Sequence, residues 1–113
     1  MDCIFCKIIS GDIPSTKVYE DEHVYAFKDI NPEAPVHVLI VQKEHIESVA
    51  HLDATHHSLI GHIHLIAKQI AEDAGIDQSG YRLLTNIGKD GGQSVLHLHY
   101  HLLGGRLLKW PPG

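Results

Sequence analysis

The chain has 113 residues, 43% of them hydrophobic, and carries a formal charge of −5, from 9 Lys and Arg against 14 Asp and Glu. That length and composition describe one globular domain, expected over residues 1–113, and exclude an intrinsically disordered chain. So few basic residues exclude the positive face by which a sequence-independent nucleic-acid binder neutralises phosphates, and no apolar run approaches the roughly 18 residues of a membrane span.

The opening Met1-Asp2-Cys3-Ile4-Phe5-Cys6 has neither the basic region nor the long apolar stretch of a signal peptide, so a cytoplasmic chain with reduced thiols is expected. Cys3 to Ile9 reads as a short apolar turn of helix or coil, ended by Ser10-Gly11-Asp12 and Pro14. Lys17 to Glu20 and His23 to Asp29 read as strands separated by the Asp21-Glu22 turn, and Ile30 to Pro35 as a loop. Val36 to Val41 is a β-branched run short enough for a sheet interior. The one long helix has Asp53 as its expected N-cap, apolar positions at Leu59, Ile60, Ile63, Ala67, Ile70, Ala71 and Ala74, and Gly75 at its C-terminal end. Tyr81 to Asn86 and Leu96 to Leu103 are two further strands, separated by a Gly88–Gly92 turn. Gly104-Gly105 breaks the last strand, and Trp110-Pro111-Pro112-Gly113 can be neither helix nor central strand. The expected fold class is therefore α+β, a five-stranded, mostly antiparallel sheet with one long helix and a short N-terminal helix.

Histidine is in surplus, with 11 residues. An imidazole titrates near neutrality and needs its nitrogens satisfied when buried, so such a surplus points to metal, phosphate or acid–base chemistry. His97-Leu98-His99-Tyr100-His101 alternates strictly, which on a strand sends three imidazoles to one face and Leu98, Tyr100 and Leu102 to the other. Three readings compete: a polar strand face, a metal bound by the trio, and phosphate chemistry. Successive imidazoles on one face lie about 6.7 Å apart, so the outer pair is roughly 13 Å apart, too far for one zinc to gather all three. Phosphate chemistry needs a neutral imidazole as nucleophile, flanked by groups that orient it or donate to phosphate oxygens. Gly91-Gly92-Gln93-Ser94, just ahead of that strand, offers backbone N–H groups, an amide and a hydroxyl to an anion. Cys3-x-x-Cys6 is half a zinc site or a redox pair, and no βαβ context supports the redox reading.

His97-Leu98-His99-Tyr100-His101-Leu102-Leu103 resembles the His-x-His-x-His-x-x signature of the histidine triad (HIT) proteins. Cys3-Ile4-Phe5-Cys6, Phe27-Lys28-Asp29-Ile30-Asn31-Pro32, Ala34-Pro35-Val36-His37, Gly91-Gly92-Gln93-Ser94-Val95 and Trp110-Pro111-Pro112-Gly113 look like the Hint branch, the histidine triad nucleotide-binding proteins, so the similarity spans essentially the whole chain. The resemblance implies a purine nucleoside phosphoramidase that cleaves a P–N bond through a nucleotidyl-histidine intermediate on His99, with His101 and His37 orienting it or contacting phosphate. It implies Asp29 at the ribose hydroxyls, Phe5, Ile8, Phe27 and Ile30 walling a base pocket, and Asn86, Gly92, Gln93 and Ser94 binding phosphate and ribose. It also implies a homodimer with one ten-stranded sheet, the Trp110 tail reaching toward the partner's site, and a structural zinc on Cys3, Cys6, His45 and His97. Gln42 departs from the family, which commonly has proline there. A dinucleoside polyphosphate hydrolase and a non-catalytic nucleotide-sensing or scaffolding module remain as alternatives. His51, His56, His57, His62 and His64 are expected on solvated faces, and His23 in a turn.

Overall fold

The structure, a computed structural model, describes residues 3–113; Met1 and Asp2, part of the opening segment read above for a leader, lie outside the described residues. In chain order the elements are α1 (Ile4–Ser10), β1 (Lys17–Glu20), β2 (Val24–Lys28), β3 (Val36–Gln42), two 3-10 turns (Val49–His51 and Ala54–His56), α2 (His57–Asp73), β4 (Tyr81–Leu84) and β5 (His99–Gly104). The five strands form one antiparallel sheet in the order β1-β2-β3-β5-β4. Among the described residues no helix is long and apolar enough to cross a membrane.

Residues directly opposite in an antiparallel ladder share a face. Ile40 lies opposite Tyr100 and Val38 opposite Leu102, so Val38, Ile40, Tyr100 and Leu102 point to one side. There they meet Ile63, Ile66, Ala67, Ile70 and Ala71 of α2, whose apolar stripe has the spacing read from the sequence. On the other side Tyr25, Phe27, Leu39 and Val41 pack against Phe5 and Ile8 of α1. The sheet is thus covered by the long helix on one face, while the short helix covers only part of the other. The histidines of β5 fall on that second face.

Four boundaries differ from expectation. The final strand starts at His99, not Leu96, because the Leu98 N–H donates to Ile46 O, outside the strand ladder, at 2.7 Å. β4 stops at Leu84, short of Asn86, where the Thr85 hydroxyl donates to His99 O instead of continuing the ladder. β2 begins at Val24 and ends at Lys28, since Asp21 Oδ1 takes the N–H groups of His23 and Val24 into a turn. Asp53 does cap, accepting from Thr55 N, but what it caps is the 3-10 turn that leads into α2. Gly75, with φ +75°, ends the helix as expected.

The helix histidines also differ from a plain solvated face. His62 lies 2.5 Å from Asp21 Oδ2, with a side chain one-third exposed. The same carboxylate accepts from Tyr19 Oη at 2.7 Å, so the β1–β2 turn is pinned to α2. His64 packs edge-on against Tyr100, and His56 Nδ1 accepts the Asp53 N–H at 3.0 Å, closing a capping box, with its Nε2 3.8 Å from Glu44 Oε2.

Candidate functional site

β5 sets the reactive edge. His99 lies opposite Val41 and His101 opposite Leu39, so both rings emerge beside α1 with centroids 5.1 Å apart. His99 is buried, and its Nδ1–H donates to the carbonyl of His97 at 2.7 Å. That bond fixes the tautomer: Nε2 keeps its lone pair. The edge of the Phe5 ring pair, 4.8 Å away, walls one side of the imidazole. Burial lowers the pKa of His99, opposed by the His97 carbonyl and the Asp29 carboxylate, so the ring is neutral at pH 7.

His37, on the same face in β3, brings Nε2 to 2.9 Å from His101 Nδ1 and 3.4 Å from Asp29 Oδ2. Its other nitrogen, Nδ1, accepts the Glu33 N–H at 3.0 Å. Burial, then repulsion from His99 and His37, pushes the pKa of His101 down to about 4, with Asp29 opposing. Two neutral imidazoles therefore stand side by side with a carboxylate nearby.

They open onto a pocket of about 320 Å³ lined by Phe5, Ile8, Phe27, Asp29, Ile30, Ser94, His99 and His101, among others. Phe5, Ile8 and Phe27 are also core residues, whereas Ile30 is 90% exposed at the rim. Of the residues expected to bind phosphate or ribose, Asp29, Ser94 and His101 reach this lining; Asn86, Gly92 and Gln93 do not. Gln93 instead closes its own loop, donating Nε2 to Glu47 O and Val95 O and accepting from Gly88 N. Its amide is thereby spent on the chain. A larger surface groove, about 540 Å³, runs along Tyr81, Arg82 and Arg106–Leu108 and holds none of these histidines.

A second cluster lies behind the first. Cys3 at the N-cap of α1, Cys6 one turn on, His45 after β3 and His97 ahead of β5 bring four ligand atoms within 4.8 Å of one another. Cys3 Sγ and Cys6 Sγ are 3.3 and 3.6 Å from His97 Nδ1, Cys6 Sγ is 3.4 Å from His45 Nδ1, and the two nitrogens are 3.1 Å apart. A tetrahedron with metal–sulfur bonds of about 2.3 Å and metal–nitrogen bonds of about 2.1 Å has S–N edges near 3.6 Å and an N–N edge near 3.4 Å. The four atoms are already close to that figure. The His97 Nε2–H donates to Gln42 O at 2.8 Å, which leaves Nδ1 as the lone-pair nitrogen facing the cysteines. Both cysteines are free thiols, so the group is able to hold a metal ion with a two-sulfur, two-nitrogen donor set. Gln42 itself is buried, and its Oε1 is without a partner among the described residues.

The sequence reading placed His37, His99, His101, Asp29 and the four metal-type ligands, and the structure brings each set together. It missed the Glu33 backbone, whose N–H meets His37 Nδ1 and whose carbonyl accepts from the Arg106 guanidinium. An N–H or a carbonyl leaves no signature in residue type, so nothing in the sequence marks them.

Comparison with known proteins agrees with this geometry. The HIT domain profile matches residues 10–108. A HIT family hydrolase from Legionella pneumophila of known structure superposes with a TM-score of 0.98 at 46% identity, covering 99% of this chain and 100% of that one. The histidine triad nucleotide-binding protein from Candida albicans superposes with a TM-score of 0.83 at 34% identity, over 97% of this chain and 83% of that one. A 14 kDa zinc-binding protein from Zea mays is 49% identical over 112 residues, 97% of this chain and 87% of its own length. The chain belongs to the HIT domain family.

Proposed function

We propose that this protein is a nucleotide-binding hydrolase that cleaves the P–N bond of purine nucleoside 5′-phosphoramidates through a nucleotidyl-histidine intermediate on His99. One observation carries the reading: His99 Nδ1–H is committed to the His97 carbonyl, leaving a neutral imidazole whose Nε2 lone pair stands at the edge of an apolar pocket with a carboxylate at its rim. The names of its relatives, a hydrolase and a nucleotide-binding protein, support the same class.

The chemistry follows from the tautomers. Nε2 of His99 attacks phosphorus, and the P–N bond breaks with its electron pair leaving on the amine, which departs as neutral ammonia from the nitrogen-protonated phosphoramidate. The new N–P bond gives a phosphorylated imidazolium whose remaining Nδ1–H still rests on the His97 carbonyl, so no proton has to leave the ring. Water then attacks phosphorus, the N–P bond returns its pair to Nε2, and the water's proton goes to the nucleotide product or solvent. Catalysis is chiefly positioning and stabilisation of spreading phosphoryl charge. Asp29 holds the ribose hydroxyls, Phe5, Ile8, Phe27 and Ile30 enclose the base, and Ser94 and His101 donate to phosphate. Asn86 and Gly92 line no part of this pocket, and Gln93 closes the loop that carries Ser94 to it.

Zinc on Cys3, Cys6, His45 and His97 is structural in this reading: all four positions are filled by protein, leaving none for water. The working unit is a homodimer joined through the open edge of β4, where Tyr81 and Trp110 are exposed. A cytoplasmic setting fits the two free thiols.

Hydrolysis of adenosine 5′-phosphoramidate by the wild type beside His99→Ala tests the reading. Wild type should release AMP and ammonia, and the variant should be slower by on the order of 10⁴-fold or more. Inertness of both with AMP still bound would replace this reading by a sensor, and faster cleavage of a dinucleoside polyphosphate would move the substrate class.

A further inference from the structure

The two histidine clusters differ in where their protons sit. In the Cys3–Cys6–His45–His97 group, His97 donates from Nε2 and offers a bare Nδ1 inward. Asp29, His37 and His101 also bring donor atoms within 4.8 Å of one another, the composition of a two-histidine, one-carboxylate metal site. Yet the Glu33 N–H is aimed at His37 Nδ1, so that nitrogen must carry the lone pair. A neutral imidazole has one proton, which therefore sits on Nε2, and a protonated Nε2 cannot ligate a metal. It can donate to the nitrogen 2.9 Å away, His101 Nδ1. His101 in turn accepts there and carries its own proton on Nε2, the edge left for the pocket.

Two contacts hold the backbone around Glu33, whose N–H starts this chain and whose carbonyl belongs to the next peptide unit. Arg106, just past β5, places Nε and Nη2 at 3.2 and 2.8 Å from Glu33 O, so one guanidinium grips the carbonyl with two donors. Beside it Gly105 has φ +92°, and a Cβ there would come within 2.9 Å of Pro35 Cβ. The Gly105–Arg106 turn thus buttresses the loop between β2 and β3 by close packing and by a charged hydrogen-bond pair.

We propose that Arg106 is a positioning residue for the reaction: by gripping the Glu33 carbonyl it fixes the residue whose N–H faces His37 Nδ1 and so locks His37 in the Nε2–H tautomer, which makes His101 a fixed Nε2–H donor toward a phosphoryl oxygen. The functional part rests on the hydrolase reading above. Its physical content is a sign. With Nε2–H outward, His101 attracts a developing oxyanion; with the tautomer reversed it would present a lone pair to that oxyanion and repel it. Loss of one preorganised donor of this type costs roughly 10²–10³ in rate. A loosened clamp that lets the two tautomers mix should cost about tenfold in kcat with little change in KM.

The test combines imidazole nitrogen NMR with kinetics. Long-range proton–nitrogen spectra of the zinc-loaded wild type near pH 7 should show His37 and His101 each bare at Nδ1 and protonated at Nε2. Arg106→Ala should move the His37 and His101 nitrogens toward averaged tautomers and lower kcat for adenosine 5′-phosphoramidate, and Arg106→Lys, which can still donate to Glu33 O, should restore most of both. A wild-type His37 protonated at Nδ1 would overturn the proposal without any variant having to fold. So would an Arg106→Ala spectrum identical to wild type at these two rings. Failure of every phosphoramidate assay, with the spectra as expected, would sink the hydrolase reading and the rate effect while leaving the tautomer lock supported.

Discussion

Stripping the metal from the Cys3–Cys6–His45–His97 group should destabilise the fold by an amount that can be worked from its connectivity. The tie from Cys3 to His97 spans 94 residues. Treated as a cross-link on the unfolded chain, a loop of that length is worth about 4–5 kcal/mol. For a domain of this size 1 kcal/mol moves Tm by about 4 °C, so the metal-free protein should unfold about 15–20 °C below the loaded one. Cys3→Ser is the cleaner variant for this purpose. Cys3 Sγ accepts the Cys6 N–H as the N-cap of α1, and serine is a good N-cap, so the substitution removes a metal ligand while keeping the helix start. Scanning calorimetry with metal analysis on the same samples is the assay. Zinc-free protein that unfolds within about 3 °C of the loaded form, or a Cys3→Ser variant that still binds one zinc per chain at wild-type affinity, would refute a cross-linking role for the metal.

Two further predictions concern protons and the helix clamp. Because the folded pKa of His101 lies near 4, below that of the free side chain, the unfolded state binds the extra proton between about pH 6.5 and 4. Stability should therefore be full above that window and fall as pH drops through it, by up to about 1.4 kcal/mol per pH unit for this one group before screening; urea midpoints that stay flat from pH 7 to 4.5 would refute it. At the other face, partial burial raises the pKa of Asp21, but hydrogen bonds from Tyr19, His23 N, His62 and Val24 N outweigh it and hold the carboxyl well below its usual range. Asp21→Ala should cost about 1–3 kcal/mol in chemical denaturation, and His62→Ala less, with zinc content unchanged in both; a neutral Asp21→Ala would mean the pin carries no stability.

Much of this site is visible in residue type and spacing, and the rest is hidden for identifiable reasons. Strict alternation from His97 to Leu102 predicts the two faces, and they hold: Tyr100 and Leu102 enter the α2 core while His99 and His101 open beside α1. The same alternation hides where the strand begins, since period two continues through Leu96–Leu98 although the β3 ladder starts at the Val41–His99 pair. Asp53 has the right cap chemistry, but a propensity cannot say whether a 3-10 turn or an α-helix follows it. His62 looks like any solvated helix residue until the β1–β2 turn is folded over it. Gln93 looks like a phosphate ligand because its amide is polar and follows two glycines; only the loop's closure on Glu47 O and Val95 O shows that amide to be taken. The Arg106–Glu33–His37 chain runs through a backbone carbonyl and N–H, which almost any residue type would supply.

His97 belongs to both clusters at once: its ring faces the cysteines, and its carbonyl accepts the hydrogen bond from His99 Nδ1–H. One residue thus joins the metal-type cluster to the imidazole proposed as nucleophile. Replacing zinc with cobalt(II), which accepts the same sulfur and nitrogen donors, would turn the structural site into a coloured reporter. If His99 forms the proposed nucleotidyl intermediate and so acquires positive charge, the pull on the His97 carbonyl should reach the imidazole that would bind the cobalt and shift its visible absorption. The proposed covalent step could then be timed optically with an ordinary substrate, from an atom that takes no part in it.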